Sequence, residues 1–294
     1  MFDIPNGEKL PTDLSRLFND IRSSRRKIDR REQMELRASS FPICPRAYHI
    51  FRRTPIAKRP AREEAFVSES TSLMGTSLHL VLQRWFGIQG YLYGNWRCDP
   101  CDKEARHRTG TPKCDGCGRP MVYEEYEIKR TKVTPFSGHV DGILRIPNST
   151  YLIDFKGSSL RAIREIRASG KPKSTHYLQV NAYANAINML PEVYGNVETI
   201  QKIIIIYVDR GEPHRTWHPV QVTVSKQVYK DTVSRIYLAR QSLLEMRIPR
   251  GLCLVPSDEY GKYCPWKATC FSPAIEGLLS DDIQPASSPR SSTY

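Results

Sequence analysis

Apolar positions along this chain change their spacing several times, and each change marks an element. Leu14, Leu17, Phe18 and Ile21 recur at i, i+3, i+4 and i+7, which is one stripe of a helix predicted over 12–36 and capped by Thr12 or Asp13. A second helix is predicted over 71–87, carrying Leu78, Leu82, Trp85 and Phe86. The period then shortens to that of strands at 121–130, 137–146 and 150–156, and Pro147, Asn148 and Ser149 supply the turn of an antiparallel hairpin between the last two. A helix follows over 174–190, then a very apolar strand at 201–208 and another strand at 215–224. The last helix, 226–247, places Tyr229, Val233, Ile236, Tyr237 and Leu244 along one side. Helix, three strands, helix, two strands, helix is the order of an α/β layer with a mixed central sheet flanked by helices.

The segments between carry little core pattern. A loop rich in Pro and Arg covers 52–64, and a polar stretch with four cysteines covers 94–122. The interior of that stretch, Asp102 to Lys113, lacks the apolar residues to fold unaided, so a bound metal is expected to stabilise it. Arg161, Arg164, Arg167, Lys171 and Lys173 read as a basic linker, and the Ser/Pro-rich tail from 279 as disordered. The chain thus divides into an N-terminal helical part (1–93), a cysteine-rich insertion (94–122), a core (123–278) and a tail (279–294).

Charge changes the picture more than composition does. The 294 residues carry 44 Lys and Arg against 31 Asp and Glu, a net +13, and a basic chain of this kind points to a polyanion, nucleic acid first. The run Arg25, Arg26, Lys27, Arg30 and Arg31 reads either as a solvated face or as phosphate contacts. No apolar run reaches the ~18–20 residues of a membrane span. The start, MFDIPNGEKL, has no basic-then-apolar leader, so the expected compartment is the cytoplasm, where paired cysteines mean metal more often than disulfide.

Candidate chemistry begins at Asp154 and Lys156. Alternation along a strand puts both on one face, after two apolar residues, and buried charges need pairing or a metal. The hairpin brings Asp141 near Asp154, and a divalent cation relieves the repulsion of two close carboxylates. Gly75 and His79 share a helical face four residues apart, the glycine allowing close approach of another backbone. Gln179 and Tyr183 repeat the spacing on a later helix. Mg²⁺ or Mn²⁺ on hard oxygen ligands activates water and polarises a phosphoryl group, and a lysine stabilises the developing charge, so the residue types suit phosphodiester hydrolysis.

Taken in order, G-x-x-x-H, G-x-x-D, D-x-K and Q-x-x-x-Y resemble the PD-(D/E)XK nuclease superfamily, its RecB-like branch, over about 71–190. The resemblance implies a restriction-endonuclease-like core. It implies that His79, Asp141, Asp154 and the Phe155 carbonyl ligate Mg²⁺ or Mn²⁺, that Lys156 is the catalytic lysine, and that Gln179 and Tyr183 position DNA. Val140 stands where the family usually has proline.

The eight cysteines form two sets. Cys98, Cys101, Cys114 and Cys117 make CxxC…CxxC with twelve residues between the pairs, the spacing of a zinc ribbon, with a redox pair as the alternative. Lys103, Arg106, His107, Arg108 and Lys113 within it are candidate DNA contacts. Cys44 with Cys253, Cys264 and Cys270 resembles the iron–sulfur staple of AddB-type and CRISPR-associated nucleases, which implies a [4Fe–4S] cluster; zinc or plain buried thiols are the other readings. The spacing C-x10-C-x5-C departs from the family's C-x2-C-x5-C, with Gly261 at the place of the first. The reading that follows is a metal-dependent exonuclease acting on DNA ends or single strands in recombination, repair or phage DNA processing. No GxxxxGK[ST] phosphate loop occurs, so unwinding falls to a separate helicase or recombination partner. The rival readings are a non-catalytic nucleic-acid-binding subunit and a structure-specific endonuclease or RNA nuclease.

Overall fold

A computed structural model describes residues 44–54, 65–147, 149–195, 197–213, 216–257, 261, 264 and 266–272. The helix expected over 12–36 with its arginine run, most of the 52–64 loop and the tail from 279 lie outside the described residues.

Two helices come first, α1 (Pro45–Arg53) and α2 (Ala65–Ile88). Strands β1 (Leu92–Cys98), β2 (Lys103–Thr109), β3 (Val122–Glu124), β4 (Tyr126–Ile128), β5 (Gly138–Val140), β6 (Gly142–Ile146) and β7 (Ser149–Ser158) follow. Helices α3 (Leu160–Ser169) and α4 (Ser174–Met189) lead to β8 (Lys202–Asp209) and β9 (Trp217–Thr223), and the chain continues through α5 (Lys226–Leu244) and the short α6 (Lys267–Cys270). The central sheet runs β2-β1-β6-β7-β8-β9, with β3 also on β1; β4 and β5 form a separate ribbon. Among the described strands only β7 and β8 are parallel, from Tyr151↔Lys202 to Ser158↔Asp209, and the crossover between them carries α3 and α4.

The sheet is mixed and has helices on both faces, the architecture the order of elements predicts. Strand alternation sorts the side chains. Leu152, Ile203, Ile205 and Tyr207 pack beneath α3, α4 and α5 with Ile163, Leu178, Ile187 and Ile236. Ile153, Phe155, Ile206 and Val208 face the other way and pack with Leu82 of α2, Trp96 and Tyr123. Because β7 and β8 are covered on both faces, they read as near-continuous apolar runs.

Several expectations change. The arginine part of the basic linker is helix α3, while Lys171 and Lys173 stay in the loop after it: Ser159 caps the helix by accepting the Ala162 N–H, Gly170 ends it in the left-handed region, and Ile163 and Ile166 are its buried side. The arginines lie outward and mask that stripe; Arg161 pairs with Glu165 at 3.0 Å. The stretch 102–113 is not featureless. It supplies β2, paired antiparallel to β1 from Tyr93↔Thr109 to Cys98↔Lys103, so the 93/94 boundary falls inside a strand of the central sheet. On the predicted apolar sides, Trp85, Tyr237 and Leu244 are exposed, the last 80% so. Among the described residues no helix is long and apolar enough to cross a membrane.

Candidate active site

Strand lengths create the site. β6 begins at Gly142, opposite Ile153, whereas β7 continues to Ser158 along β8. Beyond Ile153, β7 therefore has an unpaired edge among the described residues. Asp141, the residue before β6, fills it: Oδ2 accepts the Phe155 N–H at 2.7 Å, taking a ladder donor that would otherwise be orphaned. The hairpin thus brings Asp141 to β7 as its sequence predicts.

Asp154 shares the α4-facing side of β7 with Leu152 and is only 1% exposed. Lys156, two residues on, donates from Nζ to Asp154 Oδ1 at 2.9 Å, and Oδ2 stands 2.8 Å from the same ammonium. That Oδ2 accepts no directed hydrogen bond despite its burial, which suits a carboxylate built to meet a cation. Burial works against the charge on Lys156, but Asp154 and Asp141 overcome it and raise the ammonium pKa. Burial and the nearby Asp154 push Asp141 up to about 7, with Lys156 and His79 opposing.

α2 brings His79 from the other face. Its Nε2 donates to the Phe155 carbonyl at 2.9 Å, and its Nδ1 looks toward Asp141 Oδ1 at 3.5 Å. A third acid, Glu125, stands 3.9 Å from the same Nδ1. Gln83, one turn after His79 and 3% exposed, donates to Glu125 Oε1 and to the Asp141 carbonyl, each at 2.9 Å. Burial lowers the His79 pKa, but Glu125 and Asp141 outweigh it and leave it raised; burial raises Glu125, but His79 and Gln83 hold it below the usual carboxylate range. Sequence reasoning missed Gln83 and Glu125. Gln83 was findable by its four-residue offset from His79. Glu125 lies between two three-residue strands, where no periodicity singles it out. Gly75 does not make the close approach expected of it: the space a Cβ would fill is open.

On α4, Gln179 donates to the Tyr183 hydroxyl at 3.2 Å. The Tyr183 ring is 3% exposed, which leaves no face for stacking on a base; burial pushes its phenol up to about 12. A cavity of about 670 Å³ beyond α3 and α4, lined by Ile166, Lys171, Lys173 and Tyr177, holds none of these site residues.

The two cysteine sets differ in spacing. The Sγ atoms of Cys98, Cys101, Cys114 and Cys117 lie within 4.8 Å of one another, with Cys98 and Cys117 3.6 Å apart. A tetrahedral Zn²⁺ with bonds of about 2.3 Å separates its sulfurs by roughly 3.8 Å, so the set fits one ion. N–H groups of Gly116 and Cys117 pull the Cys114 thiol down to about 7. Of the basic residues here, Lys103 pairs with Asp115, Arg106 with Glu104, and His107 bonds Tyr126.

Cys44, Cys253, Cys264 and Cys270 also converge, but more loosely. Burial raises the Cys270 thiol, Arg46 opposes, and Cys253, Cys44 and Cys264 add to the rise. The Cys44 sulfur accepts the Leu252 N–H at 3.4 Å, and Arg46 donates to the Cys270 carbonyl at 3.1 Å. Among the described residues no three of these thiols come within 4.8 Å, unlike the ribbon set. A Cβ at Gly261 would meet the Pro256 and Val255 carbonyls at 2.8 Å, so a cysteine has no room there.

No protein-family model matches the chain, and no curated protein sequence matches it. Solved structures do. An alkaline exonuclease (LHK-Exo) from Laribacter hongkongensis is 14% identical with a TM-score of 0.31, covering 42% of this chain and 57% of that one. The same enzyme in complex with dAMP gives 12% and 0.39, over 72% of this chain and 89% of that one. SSO0001 gives 16% and 0.32, over 69% and 71%. Likeness at this level carries no argument about activity, which rests on the site itself.

Proposed function

We propose that the chain is a Mg²⁺- or Mn²⁺-dependent deoxyribonuclease of exonuclease type, acting on single strands or duplex ends. The observation that carries the reading is the meeting of Asp141, Asp154 and Lys156 at the unpaired edge of β7, where Asp141 holds the Phe155 amide. A basic chain with two buried carboxyl groups and a half-buried lysine around a strand end suits a phosphodiester and a divalent cation.

In this reading His79, Asp141, Asp154 and the Phe155 carbonyl form the cation's surroundings. A divalent ion bound there supplies activation of water and polarisation of the phosphoryl oxygen. Lys156, already charged and held by Asp154, neutralises the non-bridging oxygen as charge develops. Gln179 orients toward the DNA backbone, and its partner Tyr183 fixes that orientation. Zn²⁺ on Cys98, Cys101, Cys114 and Cys117 ties β1 to the knuckle after β2. The wider second set suits a [4Fe–4S] cluster joining Cys44 to the C-terminal cysteines. A role in recombination, repair or phage DNA processing, with unwinding done by a separate helicase, completes the proposal, and the cytoplasm is its setting.

The test uses anaerobically purified protein with iron, sulfide and zinc quantified, and labelled linear and circular DNA. Metal-dependent loss of linear DNA alone, abolished in Asp154→Asn with DNA binding retained, supports the reading. Cleavage of circles makes it an endonuclease. DNA binding without any cleavage makes it a binding subunit.

A further inference from the structure

Helix α2 is apolar on two sides. Leu78, Leu82 and Phe86 face the sheet and pack with Phe155, Trp96 and Tyr123. On the outer side Leu73, Met74, Leu80, Val81, Trp85 and Ile88 are each half or more exposed. From Leu73 to Ile88 the exposed positions carry a single charge, Arg84. A surface helix turns polar residues outward, whereas a helix that is apolar all round belongs under cover. At a rise of 1.5 Å per residue the outer stripe from Leu73 to Ile88 is about 22 Å long.

A mate of the same length is written in the sequence. In the helix predicted over 12–36, Ile28 continues the stripe of Leu14, Leu17, Phe18 and Ile21 two heptads beyond Leu14, for a length of about 21 Å. The other side of that predicted helix carries Arg22, Arg26 and Arg30, each four residues from the next. Residues 29–43 lead from it to Cys44, where the described chain begins, and extended they reach about 50 Å, enough to cross a domain of this size. The area favours this mate over a second copy. Six side chains exposed to this degree offer on the order of 600 Å², less than the ~800 Å² that each partner of a stable complex buries. So small a face holds a helix tethered to it, at high effective concentration, better than a free copy. Its aliphatic side chains give a phosphate nothing to bond.

We propose that residues 12–28 dock as a helix on the outer face of α2, the stripe from Leu14 to Ile28 covering the stripe from Leu73 to Ile88. Docking turns Arg22, Arg26 and Arg30 to solvent on the α2 side of the active site, where they contact the phosphates of a bound DNA strand. Asp29, at the edge of the covering stripe, offers Arg84 a carboxylate. The docking stands on the two apolar stripes alone; the phosphate contacts rest on the deoxyribonuclease reading.

The test uses the full chain, with its thiolate metals in place, carrying Trp217→Phe. Trp96 and Trp266 are buried, so Trp85 is then the exposed tryptophan on the described fold. Acrylamide is expected to quench Trp85 weakly, and severalfold more strongly once Phe18→Asp and Ile21→Asp are added. Equal quenching of the two proteins overturns the proposal. Benzoylphenylalanine in place of Phe18 gives a second reading without a charged substitution. In a mixture of isotopically light and heavy protein, light is expected to link it to residues 73–88 of its own chain. Links between light and heavy chains make the occupant a second copy and overturn the proposal, as do links outside α2. Arg22→Ala, Arg26→Ala and Arg30→Ala together are expected to keep Trp85 shielded and to weaken DNA binding, lowering the slope of log affinity against log salt by about 2–3. An unchanged slope overturns the phosphate contacts. A shielded Trp85 on a chain that binds no DNA leaves the docking standing and removes the deoxyribonuclease reading.

Discussion

Gly138 and Tyr183 are fitted to each other. A Cβ at residue 138 would stand 2.6 Å from the Tyr183 ring and hydroxyl. The G-x-x-D glycine therefore serves Tyr183, not Asp141. Gly138→Ala forces the ring outward and breaks its bond with Gln179. Overpacking of this kind costs about 1–3 kcal/mol. Thermal melting should fall accordingly, and cleavage should drop with Mn²⁺ binding unchanged. A variant with native melting and activity would show that Tyr183 moves freely.

Lys156 and Asp154 are a buried ion pair, and removing one member leaves the other charge without its partner. Lys156→Ala is expected to lose about 3–5 kcal/mol in urea unfolding, and Asp154→Asn combined with Lys156→Met to regain most of it. Both proteins should be inactive. Equal destabilisation of the single and double variants would mean that packing, not charge, holds this pair.

Without added Mg²⁺ or Mn²⁺, stability should fall as pH rises. Asp141 titrates near 3.8 when unfolded and is pushed up to about 7 when folded. The folded state thus holds the proton more tightly, so the contribution is complete below the unfolded value and lost as pH climbs through the folded one. His79, also raised, acts in the same direction. Melting temperatures between pH 5 and 8 should decline in the unmodified chain and stay flatter in Asp141→Asn, and Mn²⁺ should remove the slope. A melting temperature that rises over this range would contradict the burial of a protonated Asp141.

The ribbon should stabilise more than itself. Cys98 and Cys114 belong to the same apolar cluster as Leu82, Ile153 and Phe155. Cys114→Ser is expected to lose zinc and lower the melting temperature of the whole sheet. Zinc loss with unchanged melting would mean that the module is an independent appendage.

The sequence was most legible where local rules and tertiary packing agree. The Pro147–Ser149 turn, the apolar run at 201–208 and the D-x-K alternation gave the hairpin, the buried strand β8 and the shared face of Asp154 and Lys156, though not the parallel pairing of β8 with β7. Legibility failed where charge covered the pattern, as in α3, whose Arg161, Arg164 and Arg167 hid Ile163 and Ile166. It failed again in β2, whose residues are mostly exposed and owe their strand to pairing with β1.

By itself, then, the sequence determined the residue types of the site, their order and the periods that place them on elements, because these follow from local geometry. Only the tertiary structure decided which atoms meet. That β6 stops short of Asp154, that Asp141 fills the gap, and that Glu125 and Gln83 join His79 all depend on strand lengths and on contacts between segments far apart in the chain. Two cysteine sets alike in composition likewise became different in spacing through packing alone, since spacing along a chain does not fix distance across it.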